Sequence, residues 1–581
     1  MGTLLNIKQV IAAEINGILG AEIITAENIV YPPNPEMGDL SLPCFVLAKQ
    51  SGKNPAEAAQ FLVAHVQTGG VLAGTSALGP YFNIKLDKTR LAGDIIREIS
   101  VKQADYGTNA SGAGQKILIE FSNVNTHKEY HAGHLRNLCY GDASVRIACA
   151  NGFEAIPISY INDFGIHVAK TLWALIEYHL DGKIGADLDV DLEKIKTGEN
   201  KGAFLGEVYV RASSELKENK TAKQLVEVIM KKIESKSGVE YALWQKTREW
   251  SLAQFAEIYK ELGVDFVKTY YESEYIDQGR ELVFDLLERG ILRKSEGAVI
   301  ADLEEIGLGV LVVLRSDGTA TYPVADIPLA LAKFKEFSPT ASAYVVDIRQ
   351  ALYFKQLFHI LKTMGQDLPL IHLGYDVVKL PTGMMSSRAG NVITYEDLRE
   401  KLKERSCAET ASRHPEWPAE KVAESALVLA RGAIKFEMLK VGQAQPIVFE
   451  MEKALNFSGF TSAYLQYSFA RIKSIIRKSK NTEDSASADF SLLKEAKEHE
   501  LVIKLAKYPE AVRAAGQNFD PSEIARYLFE LAQMLNDYYH GIPILKSEKA
   551  LCLARLALVS SACQVIKNGL SLLGIETVEE M

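Results

Sequence analysis

The 581-residue sequence is poor in several features that define protein classes. It has only six cysteines and no C-x-x-C pair, which argues against a disulfide scaffold and against a four-cysteine zinc ribbon. We find no run of about 18 apolar residues, so no membrane-spanning helix is expected. The N-terminus also lacks the basic start and long apolar block of a signal peptide. These absences, with thiols suited to a reducing compartment, predict a cytoplasmic protein without a membrane partner.

The sequence also has no excess of basic over acidic residues. Lys and Arg number 65 against 74 Asp and Glu, which gives a net charge of −9. This balance excludes a uniformly basic nucleic-acid binder but leaves room for a local basic face. With 47% hydrophobic and 24% charged residues the composition is that of a globular protein. At ~100–200 residues per domain, the length accommodates about three to five domains.

The hydrophobic pattern predicts three units. Residues 1–104 are predicted to form an N-terminal α+β domain, followed by a linker rich in Gly, Ala and Ser. Residues 116–435 alternate short apolar runs with helical segments, which predicts a Rossmann-like α/β domain with a parallel sheet. A charged helical insertion is expected around 181–250, and residues 440–581 are predicted to be all-α. Predicted strands include 81–86, 155–161, 298–302, 309–315, 343–347 and 370–373.

The first candidate site is the motif H-A-G-H at residues 131–134, which follows a predicted strand and opens a helix. Unpaired N–H groups and the helix dipole favour phosphate at such a position, and histidines at i and i+3 share a face. The glycine leaves room for a nucleotide base, and Lys128 lies one turn upstream, within reach of a phosphate. Two alternatives remain open: a chance match of a short motif, or a zinc site that includes His127.

The second candidate is the segment G-M-M-S-S-R-A-G-N at residues 383–391. Glycines flank two hydroxyl donors, Ser386 and Ser387, and the cationic Arg388. This composition suits a loop that closes on phosphate groups. A serine-rich turn is the alternative interpretation.

The third candidate is an acidic set. Tyr322 and Asp326 lie four residues apart and would share a helix face. Together with Glu120 and Asn125 they favour a cationic substrate, because a carboxylate matches a guanidinium bidentately. The alternative is that Asp326 caps a helix while Asp317 belongs to a turn.

In this order, these motifs resemble those of class I aminoacyl-tRNA synthetases, and among them the arginyl-tRNA synthetases. H-A-G-H stands at the place of the HIGH signature, and residues 384–388 stand at the place of KMSKS. Residues 120–136 look like the pattern E-F-S-S-P-N-x-x-K-x-x-H-x-G-H-L-R. D-G-T at 317–319 and V-D-x-R-Q at 346–350 are also similar to that family, and the resemblance covers nearly the whole chain.

The sequence departs from that family at four positions. Val124 replaces a proline, and His167 stands where glutamine is frequent. Met384 and Ser387 replace both lysines of KMSKS, which would weaken the stabilisation of charge on the phosphates. The arginyl family often lacks the second lysine, and a lysine before HIGH is thought to substitute; Lys128 fits that role.

The resemblance implies an enzyme that activates L-arginine with ATP, accompanied by Mg²⁺, and transfers it from arginyl-adenylate to the 3′-terminal adenosine of tRNA(Arg). AMP and diphosphate would be released. Catalysis would depend on the positioning of the reacting groups and on charge stabilisation alone. It implies that the N-terminal domain binds the outer corner of tRNA and the C-terminal domain the anticodon. We expect a monomer.

The resemblance also implies roles for individual residues. The catalytic residues would be His131, His134, Lys128, Ser386, Ser387 and Arg388. ATP would contact Asn123, His131, Gly133, His134, Met385 and Ser386. The arginine site would comprise Glu120, Asn125, Tyr322, Asp326 and Gln350, with Asp326 as the partner of the guanidinium and Glu120 bound either to that group or to the α-amino group. The tRNA-binding residues would be Tyr464, Tyr467, Arg471 and Lys478, a face of aromatic and basic side chains suited to unpaired bases and phosphates.

Three rival functions share parts of this pattern. A small-molecule adenylyltransferase would have the same nucleotide motif but not the two terminal units. A non-catalytic, tRNA-binding relative would explain the missing loop lysines. A class I synthetase for lysine would also use an acidic pocket. Without the family context, residues 464–478 would simply be a solvated basic helix with core tyrosines.

Overall fold

The computed structural model describes residues 2–52, 54–185, 187–381, 383–384, 392–479 and 488–581. Its N-terminal unit packs helices on a three-stranded antiparallel sheet of order β1-β3-β2. Side-chain caps define helix starts there: the carboxylate of Asp87, for example, accepts the N–H of Arg90 at the start of α4. The elements are α1 (Thr3–Leu19), β1 (Leu40–Pro43), α2 (Phe45–Ser51), α3 (Pro55–His65), β2 (Leu72–Leu78), β3 (Tyr81–Leu86) and α4 (Lys88–Lys102).

The central unit contains a five-stranded parallel sheet of order β11-β10-β4-β5-β6. Its strands are β4 (Lys116–Glu120), β5 (Glu154–Ile161), β6 (Lys268–Tyr271), β10 (Ala341–Asp347) and β11 (Leu370–Tyr375). The helices between them are α5 (Ala132–Ala150), α6 (Ile166–His179), α11 (Ile276–Glu288), α12 (Pro323–Phe337) and α13 (Ala351–Thr363). The buried apolar runs of these strands produce the parallel α/β arrangement predicted from the sequence.

Two insertions extend this unit. Between α6 and β6 lie the helices α7 (Leu188–Glu193), α8 (Lys201–Glu215), α9 (Lys220–Glu234) and α10 (Gly238–Glu261), at the place of the predicted helical insertion. Between α11 and α12 the chain forms β7 (Arg293–Ser295), β8 (Ala298–Leu303) and β9 (Gly309–Leu314), a separate antiparallel sheet. The strands predicted at 298–302 and 309–315 therefore exist but do not join the parallel sheet.

The rest of the chain is mainly helical. A small sheet joins β12 (Val378–Leu380), β13 (Gly383–Met384) and β14 (Ile447–Val448). The helices are α14 (Tyr395–Arg413), α15 (Ala419–Leu439), α16 (Met451–Ala454), α17 (Ser462–Ser479), α18 (Ala496–Ala506), α19 (Tyr508–Asn518), α20 (Pro521–Gly541) and α21 (Lys549–Leu572). The exact boundaries of the three predicted domains stay a prediction.

By length and composition, α21 is apolar enough to cross a membrane. In the fold, however, it packs against α17 and α20, and 61% of its most apolar 18-residue stretch is buried. Residues such as Leu558, Val565 and Ile566 belong to the main hydrophobic core. Its composition is thus that of a core helix of the helical unit.

Candidate active site

The carboxyl ends of four neighbouring strands bring polar side chains to one edge of the parallel sheet. The segment after β4 carries Asn123 and Asn125, and the segment after β5 begins with Asn162. Glu272 follows β6 directly, and Gln350 is the last residue of the short 3₁₀ turn that follows β10. This edge is where open α/β sheets bind ligands.

Both histidines of the H-A-G-H motif cap α5. Nδ1 of His131 accepts the N–H of Gly133 at 3.1 Å, and Nδ1 of His134 accepts the N–H of His131 at 3.2 Å. Their rings stack with centroids 3.9 Å apart. Because each Nδ1 accepts a hydrogen bond, each neutral ring carries its proton on Nε2. The motif thus presents two N–H donors.

These rings stay neutral at physiological pH. Burial and the nearby Lys128 cation lower the pKa of His131 to about 4. Burial, with His131 and Lys128, holds the pKa of His134 well below its usual value. Lys128 itself lies with Nζ 5.2 Å from the ring centroid of Tyr209 on α8, so the helical insertion packs beside the motif. A Cβ on Gly133 would lie 3.0 Å from the His131 ring, so a larger residue there would shift that imidazole by a few tenths of an ångström.

Met385, Ser386, Ser387 and Arg388 lie outside the described residues. The described chain on their far side returns to the H-A-G-H motif, where the N–H of Ala132 donates to the carbonyl of Ile393 at 3.2 Å. The N–H of Tyr395 likewise donates to the carbonyl of Tyr130 at 2.8 Å. The segment that carries the candidate loop is therefore anchored beside the histidine pair.

Two further carboxylates are held by hydrogen bonds near the start of α12 and the end of β6. Oδ2 of Asp326, on the first turn of α12, accepts a hydrogen bond from the hydroxyl of Tyr353 on α13. Oε2 of Glu272 accepts one from the amide of Asn162 at 3.3 Å. Burial, which outweighs the hydrogen bond from Tyr353, and the charge of Glu120 raise the pKa of Asp326 to about 6. Burial and the charge of Asp326 raise the pKa of Glu272 to about 8.

The loop that carries Glu272 is held by a buried carboxylate. Asp163 accepts the backbone N–H of Ser273 at 2.9 Å and its hydroxyl at 2.8 Å. The same carboxylate pairs with Arg248 of α10 at 2.5 Å. An ion pair from the helical insertion thus fixes the position of Glu272 at the sheet edge.

The other predicted arginine-site residues occupy different environments. Asn125 forms a bridge with Asn162, which places it beside the Glu272 loop. Tyr322 precedes α12 with 68% of its surface exposed, whereas Asp326 is partly buried. Gln350 is exposed at the end of β10. Glu120 is buried and forms an ion pair with Lys333, and Asn123 donates to its other oxygen at 3.0 Å.

The zinc alternative is not supported by the histidine geometry. Both ring nitrogens of His127 already contact hydroxyls, of Thr126 and Thr247, each at 2.9 Å. Within the described parts of the chain, no group of three or more His, Cys, Asp or Glu side chains is arranged to hold a metal.

Comparisons with known proteins assign the family. Residues 95–451 match the family model "tRNA synthetases class I (R), catalytic domain", which covers more than half of the chain. Residues 5–86 match the arginyl tRNA synthetase N-terminal domain, and residues 465–581 the DALR anticodon binding domain. The chain belongs to the class I arginyl-tRNA synthetases.

Similar proteins agree with this assignment over their full length. An arginine–tRNA ligase of Bdellovibrio bacteriovorus is 36% identical, with 95% of this chain and 94% of that protein aligned. One from Treponema denticola is 33% identical over 99% of both chains. The solved arginyl-tRNA synthetase of Thermus thermophilus superposes with a TM-score of 0.82 at 27% identity and covers 100% of both chains. The predicted family, fold class and enzyme class are confirmed.

In this arginyl-tRNA synthetase family member, the predicted RNA-binding residues lie on α17. Tyr467 packs edge-on against Phe457, 6.2 Å between centroids, and the Arg471 guanidinium lies 5.9 Å from its ring. Arg471 also stacks over Tyr539 at 4.4 Å. Arg413 of α14, missed by sequence reasoning, lies 4.0 Å from Phe457 and 5.7 Å from Tyr467. Aromatic and guanidinium groups thus alternate in a ladder that spans α14, α17 and α20.

The remaining members of the predicted face differ in accessibility. Tyr464 is partly buried, packs on Phe529 and accepts the amide of Asn536 at 2.9 Å. Lys478 is exposed near the end of α17. Nearby basic residues pair with the C-terminal segment, as in the 3.3 Å contact between Lys473 and Glu579. The ladder therefore provides stacking groups. The positive charge of the basic residues near it is partly balanced by acidic residues of the C-terminal segment.

Proposed function

We propose that the protein joins L-arginine to tRNA(Arg), activating the amino acid with ATP and releasing AMP and diphosphate. The observation that carries this proposal is that the carboxylates of Asp326 and Glu272 and the neutral pair His131–His134 lie on elements that meet at the carboxyl edge of one parallel sheet. The acidic pair suits a guanidinium, and the histidine pair offers two N–H donors for phosphate oxygens. Membership of the arginyl-tRNA synthetase family supports it.

In the first step, the arginine carboxylate attacks the α-phosphorus of ATP, and pyrophosphate leaves. The carboxylate is already ionised at neutral pH, so no side chain has to remove a proton. The task of the protein is to align the nucleophile and stabilise charge on the phosphate oxygens. We propose that the Nε2–H groups of His131 and His134 donate to these oxygens, while Asn123 and Gly133 contact the nucleotide.

The acidic end of the site fixes the amino acid. Asp326 and Glu272 are proposed to hold the guanidinium, and Asn125, Tyr322 and Gln350 to complete the arginine site. Asp326 lies on α12, and Glu272 lies in the loop that Asp163 fixes. Because both carboxylates belong to ordered elements, little conformational freedom would be lost when they bind the guanidinium.

The phosphate end depends on Lys128, Ser386, Ser387 and Arg388. We propose that they stabilise the β- and γ-phosphates. Mg²⁺ is proposed to arrive with ATP, held by phosphates and water, since the described residues include no acidic cluster arranged for a metal.

In the second step, the terminal adenosine of tRNA attacks the arginyl-adenylate. The ladder around Tyr467 and Arg471 is proposed to bind the anticodon loop, with Tyr464 and Lys478 at its edges. We further propose that the protein acts as a monomer in the cytoplasm; all six cysteines are free, as expected in a reducing compartment.

ATP–pyrophosphate exchange tests the proposal. Each of the twenty amino acids is supplied with and without tRNA. We expect exchange with arginine and with none of the other nineteen amino acids. Exchange with lysine instead would favour the lysine enzyme. Silence in both arms would favour a non-catalytic tRNA-binding protein.

The acidic pair gives the reaction a pH dependence. We expect kcat/KM for arginine to fall in two steps as the pH decreases, through about 8 as Glu272 gains a proton and through about 6 as Asp326 gains one, because each protonation removes an anion that attracts the guanidinium. Arginine stays cationic throughout this range, and the two histidines titrate lower, so the decline belongs to the carboxylates. The measurement is kcat/KM between pH 5 and 9. An Asp326→Asn variant should keep only one step, and a flat wild-type profile would contradict the assignment.

The ladder predicts a selective tRNA defect. Arg471→Ala should raise KM for tRNA by roughly 5–30-fold, since a lost stacking or phosphate contact costs about 1–2 kcal/mol. KM for arginine should not change. The slope of log affinity against log salt should fall by about one if the guanidinium meets a phosphate. Arg289→Ala, just after the end of α11, changes an exposed arginine in an i,i+4 ion pair and is the matched control. If Arg471→Ala did not change KM for tRNA, α17 would be a solvated helix without a role in tRNA binding.

A further inference from the structure

A buried arginine projects from α5 on the side away from His134. Arg136 follows His134 by two residues, which places the two side chains about 200° apart around the helix. Only 2% of Arg136 is exposed, and its Cζ lies 5.9 Å from the ring centroid of Tyr375 at the end of β11. Burial lowers the pKa of Arg136 to about 10, so the group stays cationic at neutral pH. A buried cation of this kind requires strong acceptors around it.

The acceptors are four backbone carbonyls on two segments of the chain. Nη1 donates to Asp376 at 2.7 Å and to Val377 at 3.3 Å, in the connection between β11 and β12. Nη2 donates to Gly442 at 3.4 Å and to Gln443 at 3.2 Å, in the connection between α15 and β14. A single planar guanidinium, with its donors in a fixed fork, thus holds both connections against α5.

The two connections also bind each other. The N–H of Asp376 donates to the carbonyl of Gln443 at 2.9 Å, and the N–H of Ile447 donates to that of Val377 at 3.0 Å. From this point β12 and β14 run parallel, and β13 pairs antiparallel with β12 and ends at Met384. Arg136 therefore lies at the start of the strand pair that leads into the segment proposed to meet the phosphates.

The far side of that segment is bound to the same helix. The carbonyl of Ile393 accepts the N–H of Ala132, the first residue of α5, and the carbonyl of Tyr130 accepts the N–H of Tyr395. The described chain on both sides of residues 385–391 is therefore attached to α5 or to the residues just before it. The first turn of this helix also carries the histidine pair.

We propose that Arg136 is a positioning residue for adenylate formation: its four bonds to carbonyls fix the start of the β12–β13 pair relative to the histidine pair. The inference rests on the proposed role of Ser386, Ser387 and Arg388 at the phosphate end. Asp326 and Glu272 lie on other elements, without a bond to Arg136. Loss of Arg136 should therefore slow the reaction and weaken ATP binding, and it should leave arginine binding as it is.

The test compares Arg136→Lys and Arg136→Met in arginine-dependent ATP–pyrophosphate exchange with tRNA present. Lysine keeps the charge but carries its three donors on one nitrogen, which cannot hold both connections. Arg136→Lys should lower kcat by roughly 10–100-fold, as expected when reacting groups are misplaced by about an ångström. KM for ATP should rise and KM for arginine should not change. Arg136→Met should be more impaired. Wild-type kcat in Arg136→Lys would overturn the inference.

Arg146 on the same helix provides the matched control. It pairs with Asp142 at 3.0 Å and donates to the carbonyl of Gly263 at 3.0 Å, and neither partner belongs to the two connections. Arg146→Met should leave kcat within about twofold of wild type, because a half-exposed ion pair contributes little. An equal loss of kcat in this control would show that any lost bond along α5 slows the reaction, which would contradict a specific role for Arg136.

Amide hydrogen exchange separates positioning from general support of the fold. In Arg136→Lys, peptides covering 376–384 and 442–449 should lose protection, whereas a peptide covering 393–398 should keep it. If the thermal unfolding midpoint falls without this local change, Arg136 is only structural. A rise in KM for arginine as large as the loss in kcat would mean that the whole site is disturbed, and it would also contradict the proposal. Should Arg136→Met not fold, Arg136→Lys still decides.

The two proposals fail in different ways. If the wild-type protein shows no arginine-dependent exchange with tRNA present, the proposed function is wrong. If the wild type is active and Arg136→Lys keeps its kcat, only the role of Arg136 is wrong.

Discussion

Asp326→Asn is expected to raise KM for arginine by roughly 10²–10⁴-fold, because loss of one partner of a buried, hydrogen-bonded charge pair costs about 3–5 kcal/mol. Asparagine keeps the shape of the side chain and still accepts the hydroxyl of Tyr353, so the change removes charge and little else. KM for ATP should change much less, since the nucleotide is proposed to bind at the histidine pair. The measurement is tRNA-dependent exchange with each substrate varied in turn.

A nearby acid provides the control for Asp326. Asp317 lies in a turn where its carboxylate accepts the N–H of Thr319 at 2.9 Å and is exposed to solvent. Asp317→Asn removes the same charge nine residues away and should leave KM for arginine within about twofold, as expected for an exposed carboxylate. If Asp326→Asn behaved like this control, Asp326 would have no role in binding the guanidinium.

Local patterns in the sequence predicted the histidine end of the site. The H-A-G-H motif marks a helix start after a buried strand, and both features depend on neighbouring residues alone. The structure adds that the two Nδ1 atoms accept backbone N–H groups, which assigns the protons to Nε2. That detail depends on the capping geometry at His131, which the sequence does not specify.

The acidic end was harder to predict because its members are far apart in sequence. Glu272 follows β6 and feels the charge of Asp326 because the parallel sheet brings its strand ends to one edge; no local spacing links the two residues. The partner of Glu120 is Lys333, 213 residues away, and no local pattern predicts that ion pair. The one signal for Lys333 is a lysine on the otherwise apolar buried face of α12, seven residues after Asp326.

The sequence predicts the strands of the second sheet but not their pairing. The apolar runs of β8 and β9 indicated strands correctly, but the choice of sheet depends on pairing partners. The ladder of aromatic and guanidinium groups shows the same limit, since Arg413 reaches Tyr467 from α14, more than fifty residues upstream. Local periodicity thus predicts elements, and long-range packing decides which residues share a site.

The second large effect is expected at the histidine pair. His134→Ala should lower kcat for adenylate formation by roughly 10²–10³-fold, as for the loss of one preorganised donor to a developing oxyanion. His134→Gln should retain more activity, because its amide N–H can replace the Nε2 donor. Both variants should leave KM for arginine nearly unchanged, which distinguishes this end of the site from Asp326.

The control for His134 is an exposed histidine of the N-terminal unit. His65 lies on the last turn of α3, and His65→Ala should not change kcat. Because the wild-type rings are neutral well above their lowered pKa values, we also expect no histidine limb in the pH profile of kcat between pH 6 and 8. If His134→Ala lowered kcat by less than tenfold, the His134 donor would not matter for the reaction. If kcat showed a titration near pH 6.5, the histidine rings would not be neutral at physiological pH. Either result would contradict the proposed role of His134 as a neutral donor.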